Sequence, residues 1–398
     1  MNRLGIYVQV PFCQTKCTYC NFHTGVVSKE RFAPYVEAGC REIREHRELL
    51  TTAGVRLAIG LKQGEHSQEW VCYPVDTVYF GGGTPSLLEA DQLGRILAGI
   101  RGAFATQLEE VTLEADPETI EEEKATAWAQ AGINRVSFGV QSFSDKELKA
   151  AARMHRRADI YRAVPILRKT GIQNISFDLI AGLPHQTKDS WKQSLEELVG
   201  LGPEHVSVYL LEVDEGSRLG KELLVGGTRY SAGAVPAEDE MADFYEMAQE
   251  MLGPAGYRHY EISNWAKQGF ESKHNLKYWR REPYLGFGAG AHSFSGAQRW
   301  ANAHDAATYV SAIESGRLPV EQLEAVTEKM ALEEELFLGL RQLQGIDVGR
   351  IEREYGVALG GKFEPLAAAG LVEREGNVVR LAEEKLSVSN EVFVELMK

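Results

Sequence analysis

The chain has 398 residues, 44% of them hydrophobic and 25% charged, with a formal net charge of -14. That balance describes a folded protein with a large buried core, built as one large domain plus a small one or as two to three ordinary domains. Its diffuse acidic surface argues against nucleic-acid binding. No apolar run reaches the ~20 residues of a membrane span. The opening MNRLGIYVQV lacks the long apolar stretch and small-residue cleavage site of a signal peptide, so a cytoplasmic location is expected.

Taken in chain order, short β-branched and apolar runs predict strands at 6–10, 77–80, 111–114, 135–138, 175–180 and 206–210. Helix-length amphipathic segments, such as 29–50, 86–100, 118–131 and 189–199, alternate with them. This alternation predicts an α/β fold with a parallel sheet covered by helices, and six units suit an open, partial barrel rather than a closed eight-fold one. Residues 54–75 read as a surface insertion in the first crossover, and the Gly-rich stretch 213–235 as a linker. A helix follows at 236–252, then an aromatic, irregular stretch from Tyr257 to Trp300. The last segment carries a long helix ending near Gln344, a short one at 351–355 and another running to Gly370. The hairpin LVEREGNVVRL and a final helix complete it, which is the pattern of a small winged-helix-like α+β domain. The expected organisation is therefore a core at 1–230, a connecting region at 231–320 and a C-terminal domain at 321–398.

Five cysteines lie at 13, 17, 20, 40 and 72. In a cytosolic setting disulfides are not expected, and three cysteines within eight residues point to metal or redox chemistry; Cys40 and Cys72 read as ordinary thiols. Cys13-x3-Cys17-x2-Cys20, inside PFCQTKCTYCNF, offers three thiolates to a four-iron cube and leaves one iron open. A zinc site with His23 as fourth ligand and a pure electron carrier are the alternatives, although no fourth Cys is near. The turn Gly81-Gly82-Gly83-Thr84-Pro85 lets backbone approach a ligand closely. Further strands end at Glu114 (LEADP), before Gln141 (GVQSF) and near Glu212, and the fifth carries Asp178 (SFDLIAGLP). Active sites of β/α barrels lie at this carboxyl-terminal rim.

The strings IYVQVPFC, FGGGTPSLL, EADPETI, NRVSFGVQSF, FDLIAGLPHQT and LSVSN together resemble the radical S-adenosylmethionine (SAM) superfamily. The similarity is closest to the subfamily of oxygen-independent coproporphyrinogen III oxidase. Within it the decarboxylase branch has a further Cys two residues after the third cluster ligand and a longer lead before the cluster. Here that position is Phe22, and twelve residues precede Cys13. The haem chaperone (HemW) branch has CxxxCxxCxF and a later His-Asn-x-x-Tyr-Trp, matched by His274 to Trp279.

The resemblance implies a partial (β/α)6 TIM-like radical SAM barrel, a [4Fe-4S] cluster on Cys13, Cys17 and Cys20, and SAM on its open iron. It further implies SAM contacts at Tyr7, Tyr19, Gly82, Gly83, Thr84, Glu114, Gln141, Arg153, Asp178 and Glu212. His274 becomes the candidate haem ligand, with His292 and His259 secondary. The implied function is a haem chaperone that delivers haem to acceptor proteins. The implied partners are an electron donor such as flavodoxin or ferredoxin and haemoprotein acceptors, with peripheral membrane association through them. The alternative is SAM-dependent oxidative decarboxylation of coproporphyrinogen III to protoporphyrinogen IX.

Overall fold

The computed structural model describes residues 3–55 and 73–396. The insertion expected at 54–75 and Cys72 fall largely or wholly outside the described residues.

Six parallel strands run in sequence order: β1 (Leu4–Val10), β2 (Val75–Gly82), β3 (Thr106–Ala115), β4 (Arg135–Gln141), β5 (Asn174–Ala181) and β6 (His205–Leu210). The two-residue period of a strand sorts their side chains. Ile6, Val8, Phe80, Leu113, Phe138 and Phe177 are buried in the main apolar core shared with the helices. The alternate residues, among them Tyr7, Tyr79, Glu114, Ser137 and Asp178, meet one another across the lumen. Helices Phe32–Thr52, Ala90–Ala103, Glu122–Ala131, Arg157–Lys169 and Lys188–Leu201 cover the outside. The last begins where the Thr187 hydroxyl accepts from the Ser190 N–H and stops at Gly202 in the left-handed region (φ 62°). Trp191 on this helix is fully buried, and its indole N–H donates to the Phe244 carbonyl at 2.7 Å. Its burial contributes roughly 3 kcal/mol.

The stretch 257–300, irregular by its sequence pattern, supplies strands to both edges of this sheet. β7 (Arg258–Glu261) and β8 (Asn264–Ala266) add antiparallel beside β6. β9 (Tyr284–Phe287) adds parallel beside β1, followed outward by β10 (His292–Phe294), β11 (Gln298–Asn302) and β12 (Val320–Ala325). The order is β12-β11-β10-β9-β1-β2-β3-β4-β5-β6-β8-β7. Strands of three to six residues, interrupted by glycines, give too short a run for a period of two to stand out. A buried carboxylate ties this edge to the core. Glu42 accepts from the Tyr309 hydroxyl (2.6 Å), Asn302 Nδ2 (2.7 Å) and the Gly288 N–H (2.9 Å).

Helix Lys273–Trp279 closes the lumen from below. Both oxygens of Glu110 accept from its first turn, from the N–H groups of Lys273 and His274 (3.0 Å each), which satisfies donors the helix leaves free. Lys277 reaches Asp76 at 2.9 Å with only 4% of its side chain exposed. The helix lies so close to β1 that a Cβ at Gly5 would sit 3.0 Å from Lys277 Cδ.

The segment 213–235 is no linker. Leu219 is buried, its N–H donates to the Thr18 carbonyl (2.8 Å), and the Arg218 guanidinium bonds the Lys16 carbonyl. Glycine-rich composition concealed a small apolar cluster in which Leu219 and Ala232 join Ile180, Leu183, Leu211 and Met241. The chain then ends in helices Glu328–Leu340, Val348–Tyr355, Gly360–Ala368 and Ser389–Leu396. A hairpin, Val372–Glu375 with Val378–Leu381, pairs with Ile346–Asp347. Arg281 and Arg299, both on the barrel side, hold Glu334 of this unit at 3.0 and 2.6 Å.

Candidate functional site

The loop that follows β1 carries three thiols into one cavity of about 600 Å³ at the carboxyl ends of β1–β6. Its short strand Phe12–Cys13 is anchored against the glycine turn after β2. The Thr84 N–H donates to the Phe12 carbonyl (2.7 Å) and the Gly83 N–H to the Val10 carbonyl (2.8 Å). A Cβ at Gly83 would lie 2.4 Å from the Phe12 carbonyl oxygen and 3.0 Å from Cys13 Sγ. Glycine here is therefore a condition for the approach of the thiol loop to β2. Burial pushes the Cys13 and Cys20 thiols up from their ordinary value, so a metal that displaces their protons gains more binding as pH rises.

A polar bridge spans the cavity behind the thiols. Asp116 accepts from Thr84 Oγ1 (3.2 Å) and from the Arg153 guanidinium. The guanidinium also donates to the Gly139 carbonyl (2.9 Å) and meets Cys17 Sγ at 3.5 Å. Glu114, at the end of β3, accepts from the Tyr79 hydroxyl (2.8 Å) and the Gly82 N–H (3.0 Å). Burial, opposed by the Tyr79 hydroxyl and reinforced by Asp178, raises its carboxyl to about 7. Asp178 takes the Ser137 hydroxyl at 3.1 Å, and burial raises its carboxyl too.

The cavity brings together Cys13, Cys17, Tyr19, Cys20, Gly82, Gly83, Thr84, Glu114, Gln141, Arg153, Asp178 and Glu212. Tyr7 is not among its lining. It lies a layer deeper, with its ring stacked on Tyr79 and its hydroxyl donating to Gln9 (2.8 Å). His274, the candidate haem ligand, is also elsewhere. It is 1% exposed in the floor helix, with Nδ1 paired to Thr77 Oγ1 (2.9 Å) and Nε2 to Tyr278 Oη (2.8 Å). Burial, with Lys277 and Arg135 adding to it, lowers its pKa to about 3. Both of its ring nitrogens are thus engaged by neighbouring hydroxyls. The secondary candidate His259 is likewise stacked on Trp265 and bonded to the Ile262 carbonyl (3.1 Å).

Sequence reasoning missed Asp116, which joins the glycine turn to Arg153, although it stands in the quoted LEADP string. It also missed Arg341, Ser387, Ser389 and Asn390, which reach the cavity from the C-terminal unit. The string LSVSN carries the similarity without announcing a role.

These residues fit an iron–sulfur cube better than a single ion. Among the described residues no three His, Cys, Asp or Glu side chains converge on one metal position. His23, the fourth ligand of a zinc site, instead stacks on His304 with ring centres 3.9 Å apart. The three thiols share one wall of a cavity that has room for more than the ion, and Arg153, Arg341 and the carboxyl groups of Glu114, Asp116, Asp178 and Glu212 stand on the other walls.

A radical SAM superfamily model matches residues 7–198 and a HemN C-terminal domain model residues 326–384. The chain is 34% identical over 393 residues to the heme chaperone HemW of Bacillus subtilis (strain 168), covering 97% of each chain. It is 36% identical over 352 residues to the heme chaperone HemW of Synechocystis, covering 85% of this chain and 78% of that one. Among solved structures, the coproporphyrinogen III oxidase (HemN) of Escherichia coli, a radical SAM enzyme, superposes with a TM-score of 0.80 at 21% identity. The match covers 99% of this chain and 90% of that one.

Proposed function

The chain belongs to the radical SAM superfamily and, within it, to the HemW family, and we propose that it is a haem chaperone that holds a [4Fe-4S] cluster and SAM at its barrel mouth and passes haem to acceptor proteins. The carrying observation is the residue at position 22, on the rim of the thiol cavity. It is a phenylalanine, 65% exposed, where a decarboxylase of this subfamily would carry another cysteine. An exposed aromatic ring beside the cluster loop suits a flat apolar cargo.

In this reading Cys13, Cys17 and Cys20 hold the cluster. A reduced cluster of this kind supplies the electron that cleaves a sulfonium C–S bond. The protein's own residues bind and orient. Gly82 and Gly83 offer close backbone approach to the methionyl end of SAM. Glu114 accepts from the ribose hydroxyls. Arg153, held by Asp116, offers a charge-assisted fork to a carboxylate. Tyr19, Gln141, Asp178 and Glu212 complete the walls. Tyr7 acts from beneath, by packing against Tyr79. Haem-accepting proteins and an electron donor such as flavodoxin or ferredoxin are the expected partners, and no helix of the described residues is long and apolar enough to cross a membrane.

The test is a paired assay on anaerobically reconstituted protein. Haem titration followed by mixing with an apo-haemoprotein should show binding and transfer. Coproporphyrinogen III, SAM and reductant should yield no protoporphyrinogen IX. Steady formation of that product overturns the chaperone reading.

A second expectation concerns pH. Glu114 titrates near 7 in the free protein, and acceptance from ribose hydroxyls, beside a cationic ligand, favours its ionised form. SAM binding should therefore release a proton when pH is below 7. Affinity should rise up to about tenfold per pH unit as pH increases toward 7 and level off above it. Glu114→Gln should flatten this slope in a calorimetric titration series. An unchanged slope would remove Glu114 from the ribose role.

A further inference from the structure

The C-terminal unit touches the thiol cavity and the His274 helix at once, and Arg341 belongs to both contacts. It follows directly on helix Glu328–Leu340 and lines the cavity with Ser387, Ser389 and Asn390. Its guanidinium lies over the ring of Trp279, the last residue of helix Lys273–Trp279, at 4.5 Å from the ring centre. The backbone beneath it is fixed. The Arg341 carbonyl accepts from the Ile262 N–H and the Leu343 N–H donates to the Tyr260 carbonyl, at 3.1 Å each. Glu334 of the same helix holds Arg281, just beyond Trp279, at 3.0 Å.

The side chains at this junction are, by contrast, only half satisfied. Arg341 Nε, Glu261 Oε2 and Trp279 Nε1 are all buried without a hydrogen-bond partner among the described residues. Glu261 is fully buried. Its other oxygen accepts from the Ser263 N–H (3.1 Å) and the Asn264 amide, whereas Oε2 meets Arg341 as a loose ion pair at 3.6 Å. Buried polar groups are ordinarily paired, and an arginine offers five N–H donors. Three orphaned atoms around one stacked guanidinium mark a side chain with a second place to go. The cavity is the side open to it, with 21% of its side chain exposed.

We propose that Arg341 is a positioning residue that couples occupancy of the cavity to the His274 helix. SAM in the cavity offers hydrogen-bond acceptors to the guanidinium and draws it from Trp279. Loss of the stack loosens the last turn of the helix, which carries Tyr278 as well as Trp279. The Tyr278 hydroxyl then gives up His274 Nε2, from which it lies 2.8 Å, and the imidazole becomes available to a haem iron. The two ligands thus favour one arrangement of the helix. The inference rests on the haem-chaperone reading and adds to it a condition on uptake: haem is held more tightly when SAM is present.

The experiment is a pair of titrations on cluster-loaded protein: haem with and without saturating SAM, and SAM with and without haem. Iron and sulfide content of each variant reports that the fold and cluster are intact. In the wild type SAM should tighten haem binding by about fivefold or more, and haem should tighten SAM binding by the same factor, because such coupling is reciprocal. SAM alone should change the tryptophan emission, and Trp279→Phe should lack that change. Arg341→Met should still bind both ligands, with the factor reduced to within about twofold of unity and the emission change gone. Arg341→Lys, the deciding variant should the first lose iron, keeps a charge over the ring without the planar fork and should show an intermediate factor. A wild type whose two affinities are independent, or either variant with the full factor, overturns the coupling and leaves the chaperone reading standing. A wild-type protein that binds no haem removes the chaperone reading itself.

Discussion

Cys17→Ala is expected to leave a folded chain without its iron. The three thiols stand on one loop, anchored by backbone bonds from Gly83 and Thr84 and by the Leu219 N–H to Thr18, so the loop's path does not depend on the Cys17 side chain. A cube held by two thiolates and open at two irons is not retained. After anaerobic reconstitution, iron and sulfide should fall to background, and the broad visible charge-transfer absorption should disappear. Cys13→Ala and Cys20→Ala should behave alike. Cys40→Ala, whose thiol is buried on helix Phe32–Thr52 away from the cavity, should keep full iron. A Cys17→Ala protein with wild-type iron and absorption would show that the ligands are elsewhere.

Arg153→Met should produce the largest loss that does not touch a ligand. The guanidinium has 10% of its side chain exposed and Asp116 has 21%. Removal of the cation leaves the Asp116 carboxylate in a confined site without its counter-charge. Breaking a buried pair in this way costs about 3 kcal/mol, and the thermal midpoint of the protein should drop accordingly. The loss also removes the link from the glycine turn to Cys17 and the fork offered to a carboxylate, so SAM affinity should fall by at least tenfold. Arg153→Lys separates the two effects. It should recover most of the stability and little of the affinity, because an ammonium cannot serve Asp116, the Gly139 carbonyl and a ligand at once. Equal recovery of both in paired melting and binding measurements would reduce Arg153 to a structural cation.

The six barrel strands and the cysteine loop were legible because each is a local pattern. A β-branched run, a glycine turn and a Cys spacing are complete within ten residues. The residues closing the cavity from the C-terminal unit were not legible, because Arg341 and Ser387 reach it through docking of one unit on another rather than through any short-range period. The motif around His274 was visible but its hydrogen-bond partners were not. A histidine followed by a tyrosine and a tryptophan reads as a haem ligand with stacking partners. The same polar and aromatic groups also pack the floor of the lumen, where Thr77 and Tyr278 take both ring nitrogens. Residues 213–235 misled for the opposite reason. Five glycines and few long apolar runs suggested a linker, yet the buried Leu219 and Ala232, the Leu219 N–H to Thr18, the Arg218 guanidinium to Lys16 and the Asn21 amide to Asp214 fasten the segment to the barrel and its cluster loop.

The most direct measurement is electron paramagnetic resonance of the anaerobically reduced protein, recorded with and without SAM alongside metal analysis. The thiol loop and the cavity opposite it predict about four irons and four sulfides per chain, and a reduced-cluster signal whose g-values move when SAM is added. Zinc in place of iron, or a cluster signal that saturating SAM leaves unaltered, would contradict an iron corner open to that ligand.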